Sequence, residues 1–439
     1  MASSRKSTAN PKPSKRIAVA LSGGLDSVVL LDAVCAARQL DDTLEVWAFH
    51  IHHGLQTAAD QWLAFCEKLA KKYQVHFDFR LLHFANTAEG NIEARARAGR
   101  YDALTELCHE HGIENLLLAH HQNDQAETVL LQLLRGAGVA GLSAMPEKRL
   151  LSAGDQAVTL WRPLLNLNRA ELEAYAKAKR LKWIEDPSNL NPRFRRNAIR
   201  NQILPSLAKI QPEAIANLAR SANLLAESQK LLDRLASQDA KGILKQTHLH
   251  LAPLLTLAQV DLPAANNVLR YWLKLNHLAM PSQERLTSWW QDLHQVSADA
   301  HLEWSHDGAS IRLWRGMLQL VNPESGRWIF QPIPRNSKTA GISAKQIEEA
   351  LNQGLITQRE RQGAEKLQIK AKTPRKTLKN LFQEADIPPW QRHAPLLYLG
   401  DEIIAVAGVG VSHPHLTDKG VRVLPQWIEN QWSAENPVK

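Results

Sequence analysis

The sequence predicts an α/β protein: a doubly wound parallel sheet over residues 17–205, a mainly helical domain over 206–322, and a small α+β domain over 340–439. Three observations carry this reading. Short apolar runs alternate with helix-length amphipathic stretches through the first 134 residues, which is the signature of βαβ units and a parallel sheet. Strand-like alternation then disappears from 212 to 295 and returns as hairpin signals. A chain of 439 residues is also too long for one hydrophobic core.

Taken in order, Ile17–Leu21 reads as a buried strand, followed by a Gly-Gly turn and an apolar helix from Ser27 to Arg38. Glu45–Ile51 is a second strand, and Gln56–Tyr73 a helix with Trp62, Phe65, Cys66 and Leu69 on its apolar face. Val75–Leu82 alternates as a third strand, Ile92–His111 is helical, Leu116–Ala119 is a fourth strand, and Asp124–Leu134 a further helix. Ligands of such a sheet belong at the carboxyl ends of its strands. Residues 212–295 read as almost wholly helical, with a long amphipathic stretch from Pro212 to Ala236. His301–Leu320 alternates around Asp307-Gly308, a strong hairpin signal, and Pro323–Ser337 reads as a linker. The last hundred residues offer helices near Lys345–Leu351 and Thr377–Ala385 and a hairpin, Leu396–Leu399 with Glu402–Val406, turned at Gly400-Asp401.

Composition narrows the class. The chain is 44% apolar and 22% charged, values of a globular protein, so a wholly disordered chain is excluded. No apolar run approaches the roughly 18–20 residues that span a bilayer, so no membrane association is expected. Cys35, Cys66 and Cys108 are odd in number and widely spaced, which argues against a disulfide scaffold or a paired-cysteine metal site and for a reducing, cytoplasmic setting. The net charge of +9 suits a polyanionic partner, although basic proteins without one are common. Its distribution says more: Lys177–Arg200 and Arg359–Lys379 each hold eight basic residues against two acidic ones. Two such stretches fit a long polyanion gripped twice, or two solvated surface segments. Residues 1–16 are basic and acid-free, and read as a disordered arm.

The strongest local signal is Ser22-Gly23-Gly24-Leu25-Asp26-Ser27, between the first strand and its helix. Its glycines let backbone approach an anion, its serines add hydroxyl donors, and the helix aims its positive end at the same point. An ordinary capped turn is the plain alternative for a Gly-Gly pair. Gly136-Ala137-Gly138-Val139-Ala140-Gly141 formally matches a dinucleotide fingerprint but follows a helix, so it reads as a loop. His120-His121 precede Asp124 and Glu127, which share a helix face near its N-terminus. Asp124 either caps the helix, with Glu127 completing a box-like arrangement, or holds a metal or orients an amine, with His121 for acid–base work or charge stabilisation. His50, His52, His53, His120 and His121 do not make a zinc set, because adjacent histidines in extended chain face opposite ways and no thiolate accompanies them. Arg97 and Arg100 share one helix face, and Arg195, Arg196 and Arg200 form a denser group; both suit phosphate or surface pairing.

With these segments in order, the chain resembles a known family. Ser22–Ser27 is similar to the PP-loop of the N-type ATP pyrophosphatases, which cleave ATP to AMP and pyrophosphate. His53-Gly54-Leu55, Ala96-Arg97, Arg100-Tyr101, Ala119-His120-His121, Asp124-Gln125, Glu127-Thr128, Arg162-Pro163-Leu164, Glu185–Asn189 and Arg196–Arg200 narrow the resemblance to the tRNA(Ile)-lysidine synthase family. Arg375-Lys376, Leu378-Lys379, Leu381-Phe382, Ile387-Pro388, Trp390 and Arg392 are similar to that family's last domain. The resemblance is weakest from about 212 to 340. One departure is Asn123, where the family usually has the first of two acids; Asp124 keeps the second.

The resemblance implies two-step chemistry on the wobble cytidine of the isoleucine tRNA bearing a CAU anticodon. ATP adenylates the carbon-2 oxygen, and the ε-amine of free lysine then displaces AMP to give lysidine. It further implies that Ser22, Gly23, Gly24, Leu25, Asp26 and Ser27 hold ATP, with Mg²⁺ or the incoming ammonium at Asp26. Asp124 would orient the amine, His121 accept a proton or face an oxyanion, and Arg97, Arg196 and Arg200 neutralise phosphate. Arg100, Arg195, Arg375, Lys376 and Lys379 are the further phosphate or tRNA contacts, and a homodimer is an assembly to test. Three rivals remain. A tRNA thiolase needs catalytic cysteines or an iron–sulfur cluster, a GMP synthetase-like amidating ligase needs an ammonia source, and a non-catalytic tRNA-binding protein has no use for an intact PP-loop.

Overall fold

The computed structural model describes residues 15–41, 43–52, 59–82, 92–152, 157–187, 195–296, 302–321, 326–334 and 336–429. Most of the N-terminal arm, His53-Gly54-Leu55, Ser188-Asn189 and Arg193 lie outside them. The chain forms two compact units, Met1–Leu231 and Leu232–Lys439.

The first unit is built on a six-stranded sheet. Its elements run β1 (Lys15–Ala20), α1 (Leu25–Arg38), β2 (Leu44–His52), α2 (Ala59–Tyr73), β3 (His76–Leu81), α3 (Ile92–Glu110), β4 (Asn115–Leu117) and α4 (Gln122–Leu133). They continue as α5 (Val139–Leu142), β5 (Lys148–Ser152), β6 (Val158–Trp161), α6 (Arg169–Ala178), α7 (Arg195–Ala198), α8 (Leu204–Ile210) and α9 (Ala214–Asp239), the last running across the boundary between the units. The strand order is β3-β2-β1-β4-β6-β5, parallel except for β5. The doubly wound sheet is therefore as expected. Lys15 and Arg16 already belong to β1, where they pair with Leu44 and Glu45.

Strand periodicity sorts the side chains onto two faces. Val19 and Leu117 pack with α1, α2 and α6, while Ala18 and Leu116 pack with Leu104, Leu107 and Cys108 of α3. Asp32 of α1 ties the first layer together by accepting from the hydroxyls of Tyr73 (2.6 Å) and Tyr175 (2.7 Å). The chain leaves β1 toward β2 on one side, and β4 lies on the other. The gap between the carboxyl ends of β1 and β4 is thus the switch point where a ligand of such a sheet sits. The glycine run 136–141 follows α4 rather than a strand, so it makes no dinucleotide turn; it is a loop through Gly138, while Val139–Gly141 already belong to α5, a correction to the loop reading.

In the second unit, the stretch read as wholly helical is interrupted. Leu244–Lys245 and His248–His250 form a tight hairpin inside it, with Gln246 at φ 53°. That hairpin joins Leu302–His306, Ala309–Trp314 and Met317–Val321 in a five-stranded antiparallel sheet. The Asp307-Gly308 turn has φ 51° and 79°, the left-handed pair a two-residue hairpin requires. Helices and sheet share one core, rich in tryptophan, with Trp272, Trp289, Trp290 and Trp304 all buried.

The expected linker is a further correction. Gly326–Ile333 is an eight-residue strand paired along its length with Arg422–Glu429, nearly a hundred residues later. It lies at a sheet edge, where Pro332 and its missing N–H are tolerated. The helices Ala344–Asn352 and Leu378–Glu384 and the hairpin turned at Gly400-Asp401 form as expected. Among the described residues no helix is long and apolar enough to cross a membrane.

Candidate active site

The PP-loop closes on itself and on its surroundings. Ser27 Oγ donates to the Gly24 carbonyl (2.9 Å), Ser22 and Ser27 hydroxyls lie 3.1 Å apart, and the Gly24 amide points at Ser22 Oγ (3.4 Å). Gly23 takes φ 87°, and a Cβ there would lie 3.2 Å from Cys66 Sγ, so the turn needs glycine for both conformation and space. The Ile184 amide donates to the Gly23 carbonyl at 2.9 Å, which brings the segment before Glu185-Asp186-Pro187 alongside the loop. Below it, His50 Nδ1 contacts the Leu21 carbonyl at 2.8 Å. Gly24 caps α1, so the first-turn amides of Leu25, Asp26 and Ser27 face the same space without carbonyl partners of their own helix.

Across the switch point, His121 caps α4, and its backbone amide donates to Asp124 Oδ2 at 3.0 Å. Its ring is 1% exposed and stands between two carboxylates, with Nε2 3.6 Å from Asp26 Oδ2 and 3.5 Å from Asp124 Oδ2. Burial lowers the affinity of His121 for a proton, but the two carboxylates outweigh it and hold the imidazole above its ordinary value. Burial acts the other way on Asp124, where His121 and Arg196 prevail and hold the carboxyl below its usual range. Neither ring nitrogen of His121 nor Asp26 Oδ1 has a hydrogen-bond partner among the described residues, although all three atoms are buried. Such groups are costly unless a ligand completes them. The Arg169 guanidinium also lies near, 3.7 Å from Asp26 Oδ2.

The third side is a charge box that the sequence only half revealed. Glu127 is fully buried and takes Arg196 Nε at 2.7 Å and Arg200 Nε at 2.6 Å, and both arginines also reach Asp124 Oδ1 at 3.2 Å. Arg196 and Arg200 are one helical turn apart and so share a face. Ile199 and Leu204 pack on Ala126 and fix that face against α4, across a π-type turn over Ile199–Ile203. Glu127 therefore does not complete a capping box. It is a site residue that sequence reasoning left out, and its spacing of three from Asp124 was the available signal.

The remaining candidates divide. Arg97 and Arg100 both lie against the Tyr101 ring, at 5.5 and 5.9 Å. Arg195 is exposed and contributes no contact to the box. Asn123 takes a positioning part, its Oδ1 accepting the Arg169 amide at 3.0 Å and so tying α4 to the start of α6. Among the described residues, which leave out His53, the histidines do not gather: His52 contacts Asp60, and His120 Nδ1 accepts from Arg162 Nε at 3.1 Å. The three thiols are buried in helices, and burial pushes Cys35 up to about 11 and Cys66 and Cys108 up to about 12, the opposite of what thiol catalysis requires. In the second unit Arg375, Lys376 and Lys379 are all exposed, with Lys376 paired to Glu384 at 2.6 Å.

His120 yields a pH prediction. Burial, reinforced by Arg162, lowers its pKa to about 3. The unfolded chain takes up this proton below about 6.5, the folded chain only near 3, so stability falls as pH falls through that window. The loss reaches about 3–5 kcal/mol at its acid end. His120→Gln is expected to flatten the wild-type stability curve between pH 6.5 and 4 in denaturant titrations; an unchanged slope would count against a buried neutral imidazole.

Comparison with known proteins agrees with this geometry. Residues 1–207 match the PP-loop domain model, 249–319 the TilS substrate binding domain, and 356–427 the TilS substrate C-terminal domain. A tRNA(Ile)-lysidine synthase of Coxiella burnetii is 40% identical over 404 residues, covering 89% of this chain and 88% of its own. Those of Nitrosomonas europaea and Ralstonia nicotianae are 37% and 38% identical over 418 residues each, covering 92% and 90% of this chain and 89% and 88% of theirs. An identity of this level across all three matched regions, together with the loop and carboxylate arrangement described above, shows that the chain belongs to the tRNA(Ile)-lysidine synthase family.

Proposed function

We infer that this chain is an ATP-dependent ligase that forms lysidine on tRNA(Ile), joining lysine to carbon 2 of the wobble cytidine of the CAU anticodon. The observation that carries the reading is the convergence of the PP-loop carboxylate of Asp26 with His121 and Asp124 at the switch point of the sheet. In the first step the cytidine carbon-2 oxygen attacks the α-phosphorus of ATP and pyrophosphate leaves. In the second the lysine ε-amine bonds to carbon 2, AMP departs, and the amine gives up a proton.

The residues have chemistry suited to both steps. The amides opening α1, with Ser22 and Ser27, bind phosphate oxygens. Asp26 Oδ1, buried and without a hydrogen-bond partner, fits a Mg²⁺ ligand, and that ion would supply charge neutralisation at the phosphates. Asp124 and Asp26 offer carboxylates to the lysine ammonium, and His121 between them is suited to take the proton the amine loses. Arg196 and Arg200 bring positive charge beside Asp124. Catalysis is assigned to residues 17–205, and tRNA recognition beyond the anticodon to 206–322 and 340–439.

The test is incubation with ATP, Mg²⁺, labelled lysine and transcripts of either tRNA(Ile) or tRNA(Met) carrying CAU. Label entering only the isoleucine transcript is the expected result, and no label in either removes the reading.

The eight basic residues from Arg359 to Lys379 are all exposed, as a surface for RNA backbone must be. Changing Lys370, Lys372, Arg375 and Lys379 together to glutamine is expected to weaken tRNA binding at least tenfold at moderate salt and to flatten its salt dependence. Equal affinity and an equal salt slope would leave these residues as a solvated surface.

A further inference from the structure

Tyr101 lies on α3 in surroundings that neither the PP-loop nor the charge box accounts for. Its ring is flanked by the guanidiniums of Arg97 at 5.5 Å, Arg100 at 5.9 Å and Arg149 at 5.4 Å, and Arg97 Nη2 approaches its hydroxyl at 3.4 Å. Arg149 arrives from the edge strand β5. It pairs with Leu160, two residues from Val158, whose side chain packs against α3, so the register turns Arg149 onto the α3 face. Arg162, at the end of β6, is 3% exposed and anchored from below, with Nη1 donating to the Pro146 carbonyl and Nε to His120.

Four guanidiniums around one phenol repel one another unless an anion joins them. The phenol registers that field: burial favours its neutral form, yet Arg97, Arg100, Arg162 and Arg149 outweigh burial and hold it below its ordinary value. Arginine forks and a hydroxyl donor are the groups that recognise the tetrahedral oxygens of a phosphate.

We propose that Tyr101, Arg149 and Arg162 complete, with Arg97 and Arg100, a phosphate seat whose occupant is a backbone phosphodiester of the tRNA beside the wobble nucleotide. This rests on the tRNA substrate proposed above. ATP is the other source of a phosphate group, but the amides that open α1 already offer its phosphates a place. The seat also opens on the edge strand, where Arg149 is exposed and a chain too large to enter the cleft can reach it. A phosphodiester held here would fix the wobble base relative to Asp26 and Asp124 without touching either.

Arg149→Ala and Tyr101→Phe separate the possibilities, the first removing an exposed charge and the second only a hydroxyl. In filter binding, Arg149→Ala is expected to weaken tRNA affinity about five- to tenfold and to reduce the salt slope by about one. In steady state the KM for tRNA should rise in both variants while the KM for ATP stays within twofold. A rise in the KM for ATP would give the seat to the nucleotide and overturn the assignment. Unchanged tRNA affinity and salt slope in Arg149→Ala would overturn it as well. Filter binding needs no turnover, so it still reads the seat if the wild-type chain forms no lysidine, an outcome that would count against the proposed reaction instead.

Discussion

Asp26→Ala is expected to remove lysidine formation, lowering kcat/KM for tRNA by about 10³-fold or more while the chain stays folded. Among the described residues Asp26 is the carboxylate that faces the PP-loop, His121 and Arg169 together, with Oδ2 3.6 Å from the His121 imidazole and 3.7 Å from the Arg169 guanidinium. Its side chain is 29% exposed and Oδ1 has no partner, so truncation leaves no large cavity and little stability is lost. What disappears is negative charge at the place where phosphates, a divalent ion and an ammonium group would meet. Asp26→Asn distinguishes this from simple packing, since it keeps the volume and removes the charge. If charge is the requirement, asparagine is nearly as inactive as alanine in labelled-lysine incorporation. Wild-type turnover in Asp26→Asn would reduce Asp26 to a spacer. Retained turnover in Asp26→Ala would remove it from the site altogether. Near-identical circular dichroism and thermal transitions are the control for folding.

The parts of this site that were legible in the sequence are the parts built from neighbours in the chain. A strand, a Gly-Gly turn and a helix lie within 24 residues, from Lys15 to Arg38, and their geometry follows from local rules. The same holds for Asp307-Gly308, where turn chemistry alone sets a hairpin. Pairings over long separations were not legible. Glu127 meets Arg196 and Arg200 across 69 and 73 residues, and nothing beside Glu127 indicates that a guanidinium pair will cover it. Gly326–Ile333 reads as a linker for the same reason: its proline argues against a strand, and its partner, Arg422–Glu429, is far along the chain. The hairpin at 244–250 was lost inside helical periodicity, because two- and three-residue strands are too short to show a period of their own. Tyr101 belongs to a legible motif, but Arg149 reaches it only through the register of the edge strand β5, which is too short to show a period in the sequence.

Replacing Glu127 tests how much of the site depends on that long-range pairing. Glu127→Ala is expected to destabilise the first unit by about 3–5 kcal/mol, because it leaves Arg196 and Arg200 half-buried with one shared carboxylate in place of two. Asp124 and Glu127 balance the two arginines charge for charge, and Glu127 makes the shorter contacts, 2.6 and 2.7 Å against 3.2 Å. Had Glu127 been only a solvated acid on an exposed helix face, its loss would cost well under about 1 kcal/mol. For a unit of this size the larger figure corresponds to a fall of roughly 6–20 °C in the transition that reports it. Glu127→Gln keeps the shape and separates hydrogen bonding from charge. If charge balance dominates, the glutamine variant is destabilised by more than half as much as alanine, and Arg200→Met added to it recovers part of the loss. A Glu127→Ala chain with an unshifted transition would show that the arginines find other partners, and the box would then carry no stability. Because Asp124 would remain alone between His121 and two arginines, the same variant should lose lysine incorporation even at temperatures where it is fully folded. That second readout would connect the buried pair to the proposed chemistry, in which Glu127, by taking the shorter contacts, leaves both guanidiniums 3.2 Å from Asp124 Oδ1 and the carboxylate able to accept an ammonium group.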